Sequence, residues 1–159
     1  MTERIALIGG DEFRPGCEEV DRAIIDATGA DRPRVLVVPT AAARENPAKA
    51  AANGASYFTS LGADAAPLMV LDSADANDEG LANQIESADV IYLTGGSPAH
   101  LLDTLSGSLV LRKMLQAHGG GAWIAGSSAG AMVLGTWMRF REWTRALDIA
   151  SGIATLPHH

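Results

Sequence analysis

The sequence predicts an α/β fold: a three-layer sandwich, a mainly parallel sheet with helices on both faces, and a nucleophile elbow after the fifth strand. Three observations predict it. Short apolar runs alternate with helix-like stretches along the chain. Those runs are apolar at every position, as strands covered on both faces must be. Glycine clusters stand at the carboxyl ends of three of them, at Gly9-Gly10, Gly95-Gly96 and Gly126 to Gly130. In open α/β sheets that edge is where ligands bind.

The elements follow in order. Ile5 to Ile8 is a buried strand stopped by Gly9-Gly10. Cys17 to Thr28 reads as a helix with Val20, Ala23, Ile24 and Ala27 on its inner face. Val35 to Val38 is a second strand, ended by Pro39. Ala48 to Leu61 is an alanine-rich helix with Gly54 as a weak point. Pro67 to Leu71 is the expected third strand, and Glu79 to Ser87 a short helix. Val90 to Leu93 is the fourth strand. Pro98 opens a helix to Leu105, at a position where proline is tolerated. Leu109 to Ala117 is the next helix, and Gly119 to Gly121 turn the chain into the fifth strand, Ala122 to Ala125. Ala131 to Leu134 is helix-like. Ile149 to Leu156 is expected as a sixth strand of the same sheet, with Gly152 as a defect.

Composition narrows the function classes. At 159 residues the chain suits one domain with a real core. A net charge of −7 argues against nucleic acid and anionic membranes as partners. The single cysteine, Cys17, cannot form an intrachain disulfide, which fits a reducing cytoplasm. No apolar run approaches a membrane span, and no signal-peptide core precedes the first strand. Neither G-x-G-x-x-G nor G-x-x-x-x-G-K-[ST] occurs, so a nucleotide cofactor is poorly supported. His100, His118, His158 and His159 make no H-E-x-x-H motif, and one cysteine makes no zinc cluster, so neither cofactor nor metal is expected.

The chemistry concentrates in Gly126-Ser127-Ser128-Ala129-Gly130, which reads G-x-S-x-G between a strand and a helix. Small neighbours let strand and helix close up, and the turn lifts Ser128 clear of the sheet. A serine hydroxyl needs a base. His158, after the last strand and Pro157, is the candidate, with His159 as the alternative. The base needs an acid to orient it. Between Ser128 and His158 only Glu142 and Asp148 are available, and both stay open. A tetrahedral oxyanion needs two donors, and the amides of Ala129 and Gly96 are the natural pair. Gly95, Ser97 and Ser127 flank them as expected substrate contacts.

With these residues assembled, the chain resembles the serine peptidases of the dipeptidase E and cyanophycinase family, whose fold is similar to class I glutamine amidotransferases. Gly9-Gly10, Pro39-Thr40-Ala41-Ala42, Leu93 to Ser97 with Leu101-Leu102, and Gly126 to Ala131 match its motifs in order, and Ala146 to His158 resembles the stretch ending in its histidine. The resemblance implies Ser128 as nucleophile, His158 as base, and Gly96 and Ala129 as oxyanion donors. It implies hydrolysis of small peptides through an acyl-enzyme, without metal or organic cofactor. Glu142 matches the family's acid only approximately. The family continues beyond the point matched by His159, so the domain at 1–159 is expected to lack a C-terminal segment. A homodimer stays open. Two rival readings share the fold: a catalytically inactive binding protein, and an esterase or amidase using the same serine.

Overall fold

The computed structural model describes residues 3–157. Five strands form one parallel sheet: β1 (Ile5–Ile8), β2 (Arg34–Val38), β3 (Asp64–Pro67), β4 (Val90–Leu93) and β5 (Trp123–Ser127), in the order β1-β5-β4-β2-β3. Ile8 pairs with Ser127 and Leu93 with Gly126, so β1, β4 and β5 end together at one edge. Successive side chains of a strand point to opposite faces, and in β2 and β4 both faces are buried, whereas Leu7 of the edge strand β1 is exposed. Val35, Val37, Val90 and Tyr92 meet α1 (Glu18–Ala27) and α2 (Pro47–Ser60) through Ile24, Ile25 and Phe58. Leu36, Val38, Ile91 and Leu93 meet the other layer. That layer holds α3 (Ser73–Ala76), α4 (Glu79–Gln84), α5 (Pro98–Leu105), α6 (Leu109–Gly119) and α7 (Ala129–Leu134). The three-layer α/β sandwich expected from the sequence is the one observed. No helix among the described residues is long and apolar enough to cross a membrane.

Side-chain caps fix several helix starts. Asn46, Ser97 and Ser108 each accept from a backbone amide three residues on, at 3.0–3.2 Å. Such a cap contributes about 1 kcal/mol. Pro98 stands in the first turn of α5, where no amide is missed.

Three expectations need correction. First, the inner face of α1 is Asp21, Ile24 and Ile25, while Val20, Ala23 and Ala27 are exposed. A buried carboxylate disguised the stripe: Asp21 accepts a 2.7 Å hydrogen bond from the Tyr57 hydroxyl. Second, the third strand is Asp64–Pro67, not Pro67 to Leu71. It is an edge strand, where a proline without an amide is tolerated. Beyond it, Leu68 and Val70 turn into the core outside the ladder. Third, the last strand does not join the parallel sheet. Gly135 ends α7 after six residues. The chain then builds a separate sheet from β6 (Gly135–Arg139), β7 (Trp143–Arg145) and β8 (Ala150–Thr155), in the order β7-β6-β8. β6 and β7 are antiparallel, and β6 and β8 are parallel with a bulge between Gly135 and Trp137.

Candidate active site

The strand–turn–helix at Ser128 forms because two glycines allow backbones to touch. A Cβ at Gly126 would collide with the backbone of Gly130, and one at Gly130 would collide with the Leu93 carbonyl of β4. Strand and helix therefore meet at a separation that no side chain permits. Ser128 bridges them at φ 51° and ψ −111°, a strained conformation for a residue with a Cβ. Its amide donates to the Ile8 carbonyl of β1 at 2.9 Å. Ser128 is exposed, although Ser127 and Ala129 on either side are buried. It opens into a cavity of about 340 Å³ lined also by Ile8, Gly9, Met132, Thr155 and Pro157.

The second turn of the site follows β4. Gly96 has φ +140°, and a Cβ there would strike the Ala41 carbonyl. The Ser97 amide donates to that same carbonyl at 2.8 Å, so the one-turn helix Thr40–Ala42 after β2 buttresses the turn. Thr40 is itself pinned by a 2.6 Å bond from its hydroxyl to the Val70 carbonyl. A methyl placed on Gly95 would lie 3.4 Å from the Ser128 Cβ, so this turn abuts Ser128. Among the described residues, the amides of Gly96 and Ala129 have no hydrogen-bond acceptor.

The other expected site residues fall in different places. The Ser127 hydroxyl points away from solvent and donates to Glu12 at 2.8 Å. The Gly95 amide also donates to Glu12, at 2.9 Å. The Ser97 hydroxyl caps α5. Glu142 is exposed in the turn between β6 and β7 and, among the described residues, has no ion pair. Asp148 accepts from Thr136, from Ser151 at 3.0 Å and from Arg145 at 3.3 Å. The bonds from Thr136 and Ser151, with the Arg145 charge, hold its carboxyl below the usual carboxylate range. His100 bonds the Leu71 carbonyl at 2.8 Å and His118 the Ala122 carbonyl at 3.0 Å, and neither lines the cavity. His158 and His159 lie outside the described residues. Pro157, directly before them in sequence, lines the same cavity as Ser128.

Sequence reasoning missed Glu12. Its carboxylate joins the turn after β4 to the end of β5, next to Ser128. The available signal was an acidic side chain just past Gly9-Gly10, at the edge where ligands bind. Tyr92 lies nearby on β4. Burial pushes its phenol far above its ordinary pKa, with the Asp21 and Glu12 charges adding to the effect, so it stays neutral and cannot act as a base. A further cavity of about 260 Å³, lined by Arg139, Phe140 and Arg141, shares Leu156 and Pro157 with the first.

A parallel sheet between two helical layers, with a strained serine at a strand-to-helix turn beside a glycine turn, defines the class: a three-layer α/β protein. The chain belongs to Peptidase family S51, whose model matches residues 5–155. Cyanophycinases from Trichormus variabilis and from a Nostoc species are each 26% identical to it over 161 residues, covering 96% of this chain and 53% of theirs. The chain thus spans about half the length of the curated relatives it matches. Among solved structures, a peptidase from an acI-B1 Actinobacterium superposes with a TM-score of 0.86 at 28% identity, over 96% of this chain and 67% of that one. A Listeria monocytogenes protein described as a peptidase E superposes with a TM-score of 0.63 at 19% identity, over 86% and 64%, a likeness of fold.

Proposed function

We propose that residues 1–159 form one peptidase-like α/β unit that hydrolyses the peptide bonds of small peptides through an acyl-enzyme on Ser128. One observation carries this reading: Ser128 is exposed and strained at the mouth of a cavity, beside two amides that have no acceptor among the described residues. The Ser128 oxygen attacks the carbonyl carbon and passes its proton to a base. The Gly96 and Ala129 amides hold the resulting oxyanion. The C–N bond breaks as the base returns that proton to the leaving amine. Water then repeats the sequence on the ester and frees the acid and the serine. His158 is the base in this reading, supported by its place after Pro157. Glu142 is the favoured orienting acid, because the Asp148 carboxylate is already committed to Thr136, Ser151 and Arg145. Arg139 and Arg141 beside the adjoining cavity favour peptides that carry a carboxylate. The lone cysteine favours a reducing, cytoplasmic setting.

The test is a fluorophosphonate probe followed by peptide mass spectrometry. Labelling at Ser128, absent in Ser128→Ala, is expected. The same substitution should lower peptide turnover at least about a thousand-fold. A folded sample without labelling would overturn the reading in favour of an inactive binding protein. Labelling with turnover of short-chain esters but not of peptides would move it to an esterase.

A further inference from the structure

The loop between β1 and α1 is held in an unusual shape. Asp11 and Phe13 have φ values of 55° and 65°, left-handed conformations that cost energy for residues with side chains. Phe13 offsets that cost by packing. Its ring lies 5.5 Å from Tyr57, 6.0 Å from Phe58 and 5.3 Å from Tyr92, centroid to centroid. Gly54 of α2 makes room for it, since a Cβ there would sit 2.8 Å from both the Phe13 ring and the Val37 side chain. The weak point in α2 is therefore the seat of an aromatic wedge.

That wedge fixes its neighbour. Glu12 Oε1 accepts from the Gly95 amide at 2.9 Å, and Oε2 accepts from the Ser127 hydroxyl at 2.8 Å. Gly95 adjoins Gly96, and Ser127 adjoins Ser128. One carboxylate thus spans the turn that bears one unengaged amide and the strand that bears the nucleophile and the other. Both bonds go to an ionised acceptor, the stronger kind of hydrogen bond. Their separation in sequence is large, 83 residues to Gly95 and 115 to Ser127. Among the described residues, no other side chain bonds both segments. A shift of either segment would change the gap that an oxyanion must fit, and such gaps tolerate little error.

We propose that Glu12 is a positioning residue. Seated by Phe13, it ties Gly95 to Ser127 and so sets the distance between the Gly96 amide and the Ser128–Ala129 elbow. The catalytic part of this inference rests on the serine-hydrolase reading above, and the tie itself does not.

The test compares Glu12→Ala and Glu12→Gln in the full chain. Three quantities are read: the second-order rate of Ser128 labelling by a fluorophosphonate, the exchange rate of the Gly95 amide, and the thermal midpoint. Glutamine can accept from Gly95 and donate to the Ser127 oxygen, so it rebuilds the bridge without charge. Glu12→Ala should slow labelling about ten- to a hundred-fold and speed Gly95 exchange, and Glu12→Gln should restore both to within about three-fold. If Glu12→Ala does not fold, Ser127→Ala cuts one half of the tie and should still slow labelling several-fold. Wild-type labelling in the alanine variants overturns the proposal, as does a loss that glutamine fails to restore. If the unmodified protein itself does not label, the serine-hydrolase reading fails. Gly95 exchange then decides the tie alone, and unchanged exchange in Glu12→Ala refutes it.

Discussion

The two sheets of this chain are built on opposite terms. The parallel sheet buries its inner strands on both faces, and β2, β4 and β5 leave almost no side chain exposed. The small sheet of β6, β7 and β8 leaves Trp137 42% and Trp143 52% exposed, buries Met138 and Ala150, and is tied down by polar bonds as well. Its anchors are the Asp148 carboxylate with Thr136 and Ser151, the Asp148 amide on the Gly135 carbonyl at 2.8 Å, and the Thr155 hydroxyl on the Met132 carbonyl at 3.1 Å. Ser128 directly follows a strand of the first sheet, and Thr155 of the second lines the same cavity. Steric closeness sets the Ser128 turn, while hydrogen bonds hold Thr155 at the cavity.

Substitutions should separate these regimes. The largest effect is expected at Gly130. Any side chain there strikes the Leu93 backbone, so Gly130→Ala should cost more than about 3 kcal/mol or prevent folding, read from urea midpoints. Leu101→Ala, fully buried on α5, should cost about 2–5 kcal/mol by the same measurement. Equal losses from polar changes in the small sheet, such as Thr155→Val, would erase the contrast.

The pH response should also divide. Burial raises the Asp21 pKa, so its contribution is full below the ordinary carboxylate range and is lost as pH rises through the raised value. The Asp148 pKa is lowered by its bonds to Thr136 and Ser151, so its contribution is present above the ordinary range and is lost as pH falls through the lowered value. On acidification from neutral pH, Asp21→Asn should remove a gain in stability and Asp148→Asn should remove a loss. Urea midpoints measured across that range check both signs. The smallest effect is expected at the surface: Trp143→Ser should change stability by less than about 0.5 kcal/mol.

The same contrast explains what could be read in advance. Val90–Leu93 was legible to the residue, because burial on both faces leaves an unbroken apolar run between turn residues, and Ile5–Ile8 was legible from its apolar run although Leu7 is 39% exposed rather than buried. β6 and β7 were not. They are short, they alternate tryptophan with arginine, and a helix-like stretch leads directly into Gly135. β8 was found but assigned to the wrong sheet, because its partner β6 was unseen. Within the site, Ser128 was legible because steric closeness forces glycines onto both sides of it. Glu12 was not, because its role depends on Ile8 pairing with Ser127 across the sheet, a register that no local pattern encodes.

The backbone of Ser128 carries a last consequence. At φ 51° every residue with a side chain is strained, alanine as much as serine. Glycine alone would relax there, so Ser128→Gly should give a chain that is more stable than the original and has no nucleophile. Selection for persistence alone would have placed glycine at that turn. The serine records a second pressure, strong enough to hold the fold away from its own optimum.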